Sequence, residues 1–107
     1  MDKLGMVVAI THWLQQRYPN RRVELSRNPT ENTVAWDLTK VVGIHYAGMI
    51  VLGIQDECFT SVWSAPDIIE ALERQGVVDG LEKGNHRLLV SQGNALVLRP
   101  WDRESLK

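Results

Sequence analysis

The spacing of apolar residues in the middle of the chain predicts a strand that is buried on both faces. From Val41 to Trp63 the chain is rich in β-forming residues and almost free of charge. One side of this strand carries Ile44, Tyr46, Ile50, Leu52 and Ile54, and the other carries Ala47, Met49 and Val51. A strand that is apolar on both sides must be covered twice. Since 107 residues supply few covering elements, the pattern predicts either an enclosed pocket or a partner surface.

The segment before this strand predicts one helix and two strands. Residues 3–17 have helical spacing, with Asp2 as the cap and Pro19 ending the helix. About half of the helix circumference is apolar, which favours packing on a sheet; it carries Leu4, Met6, Val7, Ile10, Trp13, Leu14 and Tyr18. Alternation then predicts an edge strand at Val23 and Leu25 and a second strand with one polar face over 33–38.

The segment after residue 54 predicts a further hairpin strand, a helix and a last hairpin. The turn at 55–57 leads into a strand over Cys58–Trp63. Ser64 to Asp67 has the residues of a helix start, and Gly76 ends that helix. Two strands, 87–91 and 95–99, follow a loop over 77–85. Gly43, Gly48 and Gly53 interrupt the central strand and predict bulges, bends or a close backbone approach.

These elements predict a small α+β domain over residues 1–107, in the order αββββαββ. The sheet is expected to be curved and mostly antiparallel, with five or six strands, and the first helix packs on one face. Residues 102–107 form a polar, frayed tail. The predicted core consists of Val7, Ile10, Leu14, Trp36, Ile50, Leu52, Ile69, Leu72, Leu89 and Val97.

Charge and cysteine content limit the class of protein. Twelve basic and 13 acidic side chains nearly cancel, which disfavours a nucleic-acid binder. Residues 1–28 nevertheless hold five basic and two acidic side chains (+3), whereas residues 66–82 hold one basic and five acidic (−4). Such separated patches suit self-association or steered encounter with a protein. The single cysteine, Cys58, and the lack of a signal-peptide or membrane-helix pattern predict a cytoplasmic protein.

No catalytic, cofactor-binding or metal-binding motif stands in the chain. His12 and His86 are interpreted as solvated side chains. His45 lies inside the apolar strand, where it is either a satisfied structural histidine or a functional one. In the functional case Asp37, on the preceding strand, is the candidate acid that orients it as a general base. No cofactor and no metal are expected, and an enzyme is disfavoured.

Aromatic and basic residues supply the candidate contact surfaces. Trp63 and Trp101 stand at element ends, where tryptophan is typical of a cavity mouth or an interface. His45, Tyr46 and Met49 are the candidate ligand or interface residues on the central strand. The candidate contacts to an acidic partner are Arg17, Arg21, Arg22 and Arg27.

The run from His12 to Tyr18, followed by a charged strand and the Asn28–Pro29 turn, resembles the N-terminal part of small bacterial immunity proteins from toxin systems. The likeness covers the first third of the chain and ends at Leu38. It implies a protein that neutralises another protein by binding it.

The sequence thus leads to two functional hypotheses. The first is a non-catalytic interaction protein that acts as a homo-oligomer, with a dimer favoured, and binds another protein. The second is a small-molecule-binding protein or cofactor-free enzyme with a pocket under the curved sheet and His45 as its polar anchor or general base. Neither includes nucleic acid or a membrane.

Overall fold

The computed structural model describes residues 2–26, 32–42, 45–60, 62–77 and 86–101, and for residues 41–42 and 45–48 it describes the backbone alone. The predicted tail over 102–107 lies outside these ranges. The chain folds as a small α+β domain, which confirms the predicted fold class. Its elements are α1 (Lys3–Arg17), β1 (Arg21–Leu25), β2 (Thr33–Val42), β3 (His45–Gln55), α2 (Glu57–Thr60), α3 (Ala65–Arg74), β4 (Arg87–Gln92) and β5 (Ala95–Pro100).

The five strands form one open sheet in the order β1-β2-β3-β4-β5. Neighbouring strands are antiparallel except for β3 and β4, which are parallel. The prediction of a mostly antiparallel sheet is therefore confirmed. A parallel pair needs a crossover connection, and the segment with α2 and α3 supplies it. The strong curvature of the sheet stays a prediction.

The helices among the described residues all cover the same face of the sheet. Buried residues of α1, α2 and α3 share one core cluster with the β2 and β3 residues Trp36, Leu38, Ile50, Leu52 and Ile54. Asp2 caps α1 by accepting a hydrogen bond from the Gly5 amide at 2.8 Å. Trp36, fully buried, donates from Nε1 to the Thr11 hydroxyl of α1 at 2.8 Å. A polar group inside the core is therefore satisfied where helix and sheet meet.

Most of the predicted core is buried as expected. Ile69 and Val97 are half-buried rather than buried, and the other eight predicted core residues are buried. Leu4 departs from the prediction for the first helix, because it lies in the apolar arc and yet stays 71% exposed. The apolar arc of α1 is thus wider than the surface that the sheet and α3 cover.

The predicted strand over Cys58–Trp63 is wrong, because Glu57–Thr60 is a short helix. The turn closes where the Phe59 amide donates to the Asp56 carbonyl at 2.9 Å. Cys58 and Phe59 are both buried in the main core. Consecutive strand residues point to opposite faces, whereas consecutive helix residues can share one. The helix therefore buries both side chains where a strand would bury one.

Two of the three central glycines do what strand glycines are expected to do. Thr39 pairs with Met49 and Lys40 pairs with Ala47, so Gly48 is the extra residue of a β-bulge. Gly53 permits close approach, since a Cβ placed there would lie 2.3 Å from Cζ3 of Trp101. Gly43 lies outside the described residues.

Candidate interaction surfaces

The face of the sheet away from the helices, called the second face here, is only partly covered. The strand alternation places on it Ala35, Asp37 and Thr39 of β2, Met49, Val51 and Gly53 of β3, and Leu88 of β4. Ala35 and Val51 are buried in a small cluster with Trp101, and Leu88 packs against it. Met49, farther along β3, is 54% exposed. The part of β3 from Val51 onward is thus covered on both faces, whereas Met49 is left exposed on the second face.

Trp101 supplies the cover of the second face from the segment just after β5. Its ring lies against the backbone of Gly53, and only 8% of the residue is exposed. The ring therefore offers little surface to a partner while it stays on Gly53. The role of Trp101 as a contact residue stays a prediction, whereas its packing role is shown by the contact.

His86 joins β3 to this cover, which the sequence interpretation of a solvated side chain missed. Its Nδ1 accepts a hydrogen bond from the Val51 amide at 3.0 Å, and its carbonyl accepts one from the Trp101 amide at 3.1 Å. His86 thus takes the place of a strand backbone at the start of β4. His12, by contrast, is exposed as predicted.

The register of β2 and β3 separates His45 from Asp37. His45 pairs with Val42, five residues along β2 from Asp37, which is roughly 17 Å of extended chain. The backbone register therefore does not bring His45 and Asp37 together, and the His–Asp general base stays a prediction. The side chains of His45 and Tyr46 lie outside the description, so a pocket with His45 as its polar anchor stays a prediction.

A basic recess lies where α1 turns into β1. It has a volume of about 630 Å³ and is lined by Pro19, Asn20, Arg21, Arg22 and Lys40. Arg21 and Lys40 are register neighbours, and the Arg21 guanidinium donates to the Leu38 carbonyl at 3.4 Å. Arg22 forms an ion pair with Glu24.

The structure therefore brings two of the four predicted arginines together and adds Lys40, which only the register could reveal. Arg17 lies exposed in the last turn of α1, and Arg27 lies outside the described residues.

A second cleft, called the α3 cleft, lies between α3 and the β4–β5 hairpin. It has a volume of about 330 Å³ and is lined by Trp63, Asp67, Glu70, Ala71, Arg74, Asn94, Ala95 and Leu96. Trp63 is half-buried there, and its role as a contact residue stays a prediction. Hydrogen bonds from Ser64 hold the pKa of Asp67 below its ordinary value. The cleft is thus partly acidic, at the opposite side of the sheet from the basic recess.

The outer edge of β5 is closed by one side chain. Gln75, just after α3, donates from Nε2 to the Leu96 carbonyl and accepts at Oε1 from the Leu98 amide, both at 2.7 Å. Its amide thus mimics a sixth strand at this edge. No sequence pattern pointed to Gln75.

Cys58 is fully buried and its thiol lies 3.8 Å from the Leu89 carbonyl. Burial, with a smaller contribution from the charge of Glu57, raises the pKa of this thiol to about 11. Because the thiolate is the nucleophile, Cys58 is chemically inert in this position. Within the described ranges no group of three or more His, Cys, Asp or Glu residues is arranged to hold a metal ion.

Among the same residues, no helix has the length and apolar character needed to cross a bilayer. Comparison of the chain with protein-family models, with curated proteins and with solved structures found no match. The neutralisation of another protein, which the resemblance of the first third implied, stays a prediction.

Proposed function

We propose that this protein is a non-catalytic interaction protein that acts as a homo-oligomer and binds a second protein. The observation that carries the proposal is the one-sided cover of the sheet. The described helices pack on one face, while Met49 on the second face keeps half of its surface in water. Methionine is enriched at protein interfaces, which supports a contact site on this face.

The distribution of charge supports a protein partner. The basic recess lies at the β1 side of the sheet and the α3 cleft at the β5 side. Four strand spacings of about 4.8 Å separate these sides by roughly 19 Å. Charges of opposite sign at that separation orient an approaching protein. Arg17, Arg21 and Arg22 are then the proposed contacts to an acidic surface.

Two observations favour binding over catalysis. The strand register keeps His45 away from Asp37, and burial keeps the Cys58 thiol protonated at neutral pH. These placements support binding rather than general-base or thiol chemistry at these residues. A cytoplasmic location remains part of the proposal, because the single thiol of the chain is suited to a reducing compartment.

Light scattering over a dilution series tests the homo-oligomer. The expected result is a mass above that of the monomer which falls on dilution. A monomer at every concentration would refute this half of the proposal.

Affinity capture tests the protein partner, with Met49→Lys as the variant and Thr60→Lys as its control. Thr60 is exposed on α2, on the side of the sheet that the helices cover. A protein retained by the wild type and by Thr60→Lys, but lost from Met49→Lys, is the expected outcome. Equal retention by both variants would contradict the role of the second face.

A further inference from the structure

Within the described residues, no strand pairs with the outer side of β1. The described sheet begins at β1, which pairs on its other side with β2. The Ser26 amide donates to the Ala35 carbonyl at 2.8 Å, which fixes the alternation of the antiparallel ladder. The backbone groups of Arg22 and Glu24 therefore point toward β2, and those of Val23 and Leu25 point outward.

A hydrogen bond elsewhere in the sheet supports this alternation. When the same alternation is followed through the registers of β2 and β3, the Val51 amide points toward β4. That amide donates to His86 at 3.0 Å, as the alternation requires. The outward direction of Val23 and Leu25 thus agrees with an independent contact. Because the β5 edge is closed by Gln75, β1 is the edge of the described sheet where a strand can be added.

The sequence of β1 is complementary to itself in the antiparallel direction. With Val23 at the centre, Arg22 lies opposite Glu24 of a second copy, and Arg21 lies opposite its Leu25. By symmetry, Glu24 also lies opposite Arg22 of the second copy. Both of these pairs join opposite charges, which stabilises cross-strand neighbours. Arg22 and Glu24 already form an ion pair within one chain, so their side chains lie on the same face and within reach of each other.

The backbone can form four hydrogen bonds in this register. Val23 exchanges two with Val23 of the second copy, and each Leu25 amide donates to the opposite Arg21 carbonyl. The Arg21 amide already donates to the Tyr18 carbonyl at 3.0 Å. The α1–β1 turn therefore ends the ladder at this point and defines its length.

One exposed apolar residue lies on this edge strand, and two more lie on the neighbouring helix α1. Trp13 of α1 faces α3, since its Nε1 donates to Glu73 at 3.2 Å. Leu4 and Val8 lie about 140–180° around the helix from Trp13, on the side away from α3. Both are exposed, and so is Leu25, at 51%.

Val8 and Leu25 also lie at similar distances from the α1–β1 turn. Counted from the turn that joins the two elements, Val8 lies about 13 Å along α1 and Leu25 about 13 Å along β1. Leu25 is the register partner of Trp36 and so shares the helix-covered face. A second copy at this edge would therefore cover Leu25, on the face that carries α1.

We propose that two copies of this chain join antiparallel through β1, around a two-fold axis at Val23. The two sheets then form one continuous sheet of ten strands, with both α1 helices on the same face beside the seam. This inference rests on the proposed homo-oligomer and names its interface. It also joins the two second faces into one surface for a protein partner.

Charge reversal with mixing of variants tests the interface. Arg22→Glu and Glu24→Arg each place like charges opposite each other in the homodimer, so each dissociation constant is expected to rise about tenfold. In an equimolar mixture the two variants are complementary, and a heterodimer of near wild-type affinity is expected. Sedimentation measures both, and circular dichroism confirms that each variant is folded.

Arg22→Glu and Glu24→Arg also remove the Arg22–Glu24 ion pair within each chain. A variant that leaves this ion pair in place is therefore tested as well. Leu25→Lys is expected to weaken the dimer by tenfold or more, while Val62→Lys, at a residue exposed elsewhere, is expected to leave it unchanged. A wild type that associates with no change in any of these variants would overturn the β1 interface and leave the homo-oligomer standing. A wild type that stays monomeric would overturn both.

Discussion

The two edges of this sheet end in different ways. At β5 the Gln75 amide binds the outward carbonyl of Leu96 and the outward amide of Leu98, and Trp101 continues the strand back onto Gly53. At β1 the outward groups of Val23 and Leu25 have no such cap within the described chain. A closed edge belongs to the fold of one chain, whereas an open edge is available for association. Changes at β5 should therefore affect stability, and changes at β1 should affect assembly.

The largest effect is expected at the contact between Gly53 and Trp101. Gly53→Ala places a Cβ 2.3 Å from the Trp101 ring, so the ring must leave the second face. We expect a loss of about 3 kcal/mol in the free energy of unfolding, measured by urea denaturation. Trp101→Ala should cost much less in the Gly53→Ala background than in the wild type. Equal costs in both backgrounds would show that the clash is not the cause.

Opening the β5 edge should have the next largest effect. Gln75→Ala removes two hydrogen bonds and leaves the groups of Leu96 and Leu98 without their partner. We expect a loss of about 1.5 kcal/mol in the free energy of unfolding and new association at high concentration. Gln75→Met keeps the volume without the hydrogen bonds and should behave alike. If Gln75→Met were as stable as the wild type, the amide would not be what closes this edge.

Altering the β1 edge should change assembly and leave the fold nearly intact. Leu25→Pro removes an amide that points outward, which a strand edge tolerates, so the free energy of unfolding should fall by less than about 1 kcal/mol. The dimer, measured by light scattering, should be lost. Glu24→Pro is the matched control, because its amide points toward β2, and it should cost about 3 kcal/mol. Similar costs for both variants would show that the alternation of β1 is misassigned.

The smallest effect concerns the reactivity of the Cys58 thiol. Because this thiol contacts Leu89 of β4, its reactivity measures how often the β4–β5 side of the sheet opens. Its pKa rises from 9.0 in its ordinary state to about 11 on burial, so folding favours the protonated form. The resulting stability is present below pH 9 and is lost as the pH rises toward 11. At neutral pH a thiol reagent should react only through opening of the fold. The rate should rise in Gln75→Ala and stay unchanged in Leu25→Lys, and fast labelling of the native wild type would contradict the burial.

Much of the fold could be predicted because local signals were strong. The Asp2 and Ser64 caps, the apolar arc of α1 and the last hairpin all appear as expected. The short helix α2 was missed, since Cys58 and Phe59 are β-forming residues whose packing decided the outcome. The candidate surfaces were predicted less well. Trp63, which the sequence singled out, lines a cleft, whereas no sequence pattern indicated Lys40, His86 or Gln75.

The sequence by itself determined most of the residues that leave water and where the two longer helices and most strands lie, because burial and capping act over a few neighbouring positions. Only the tertiary structure decided which edge of the sheet is closed. That choice depends on Gln75 meeting β5 across 21 residues of chain and on Trp101 reaching a glycine on a distant strand. Contacts between residues far apart in sequence are set by strand order and register, which the alternation of apolar residues alone does not specify.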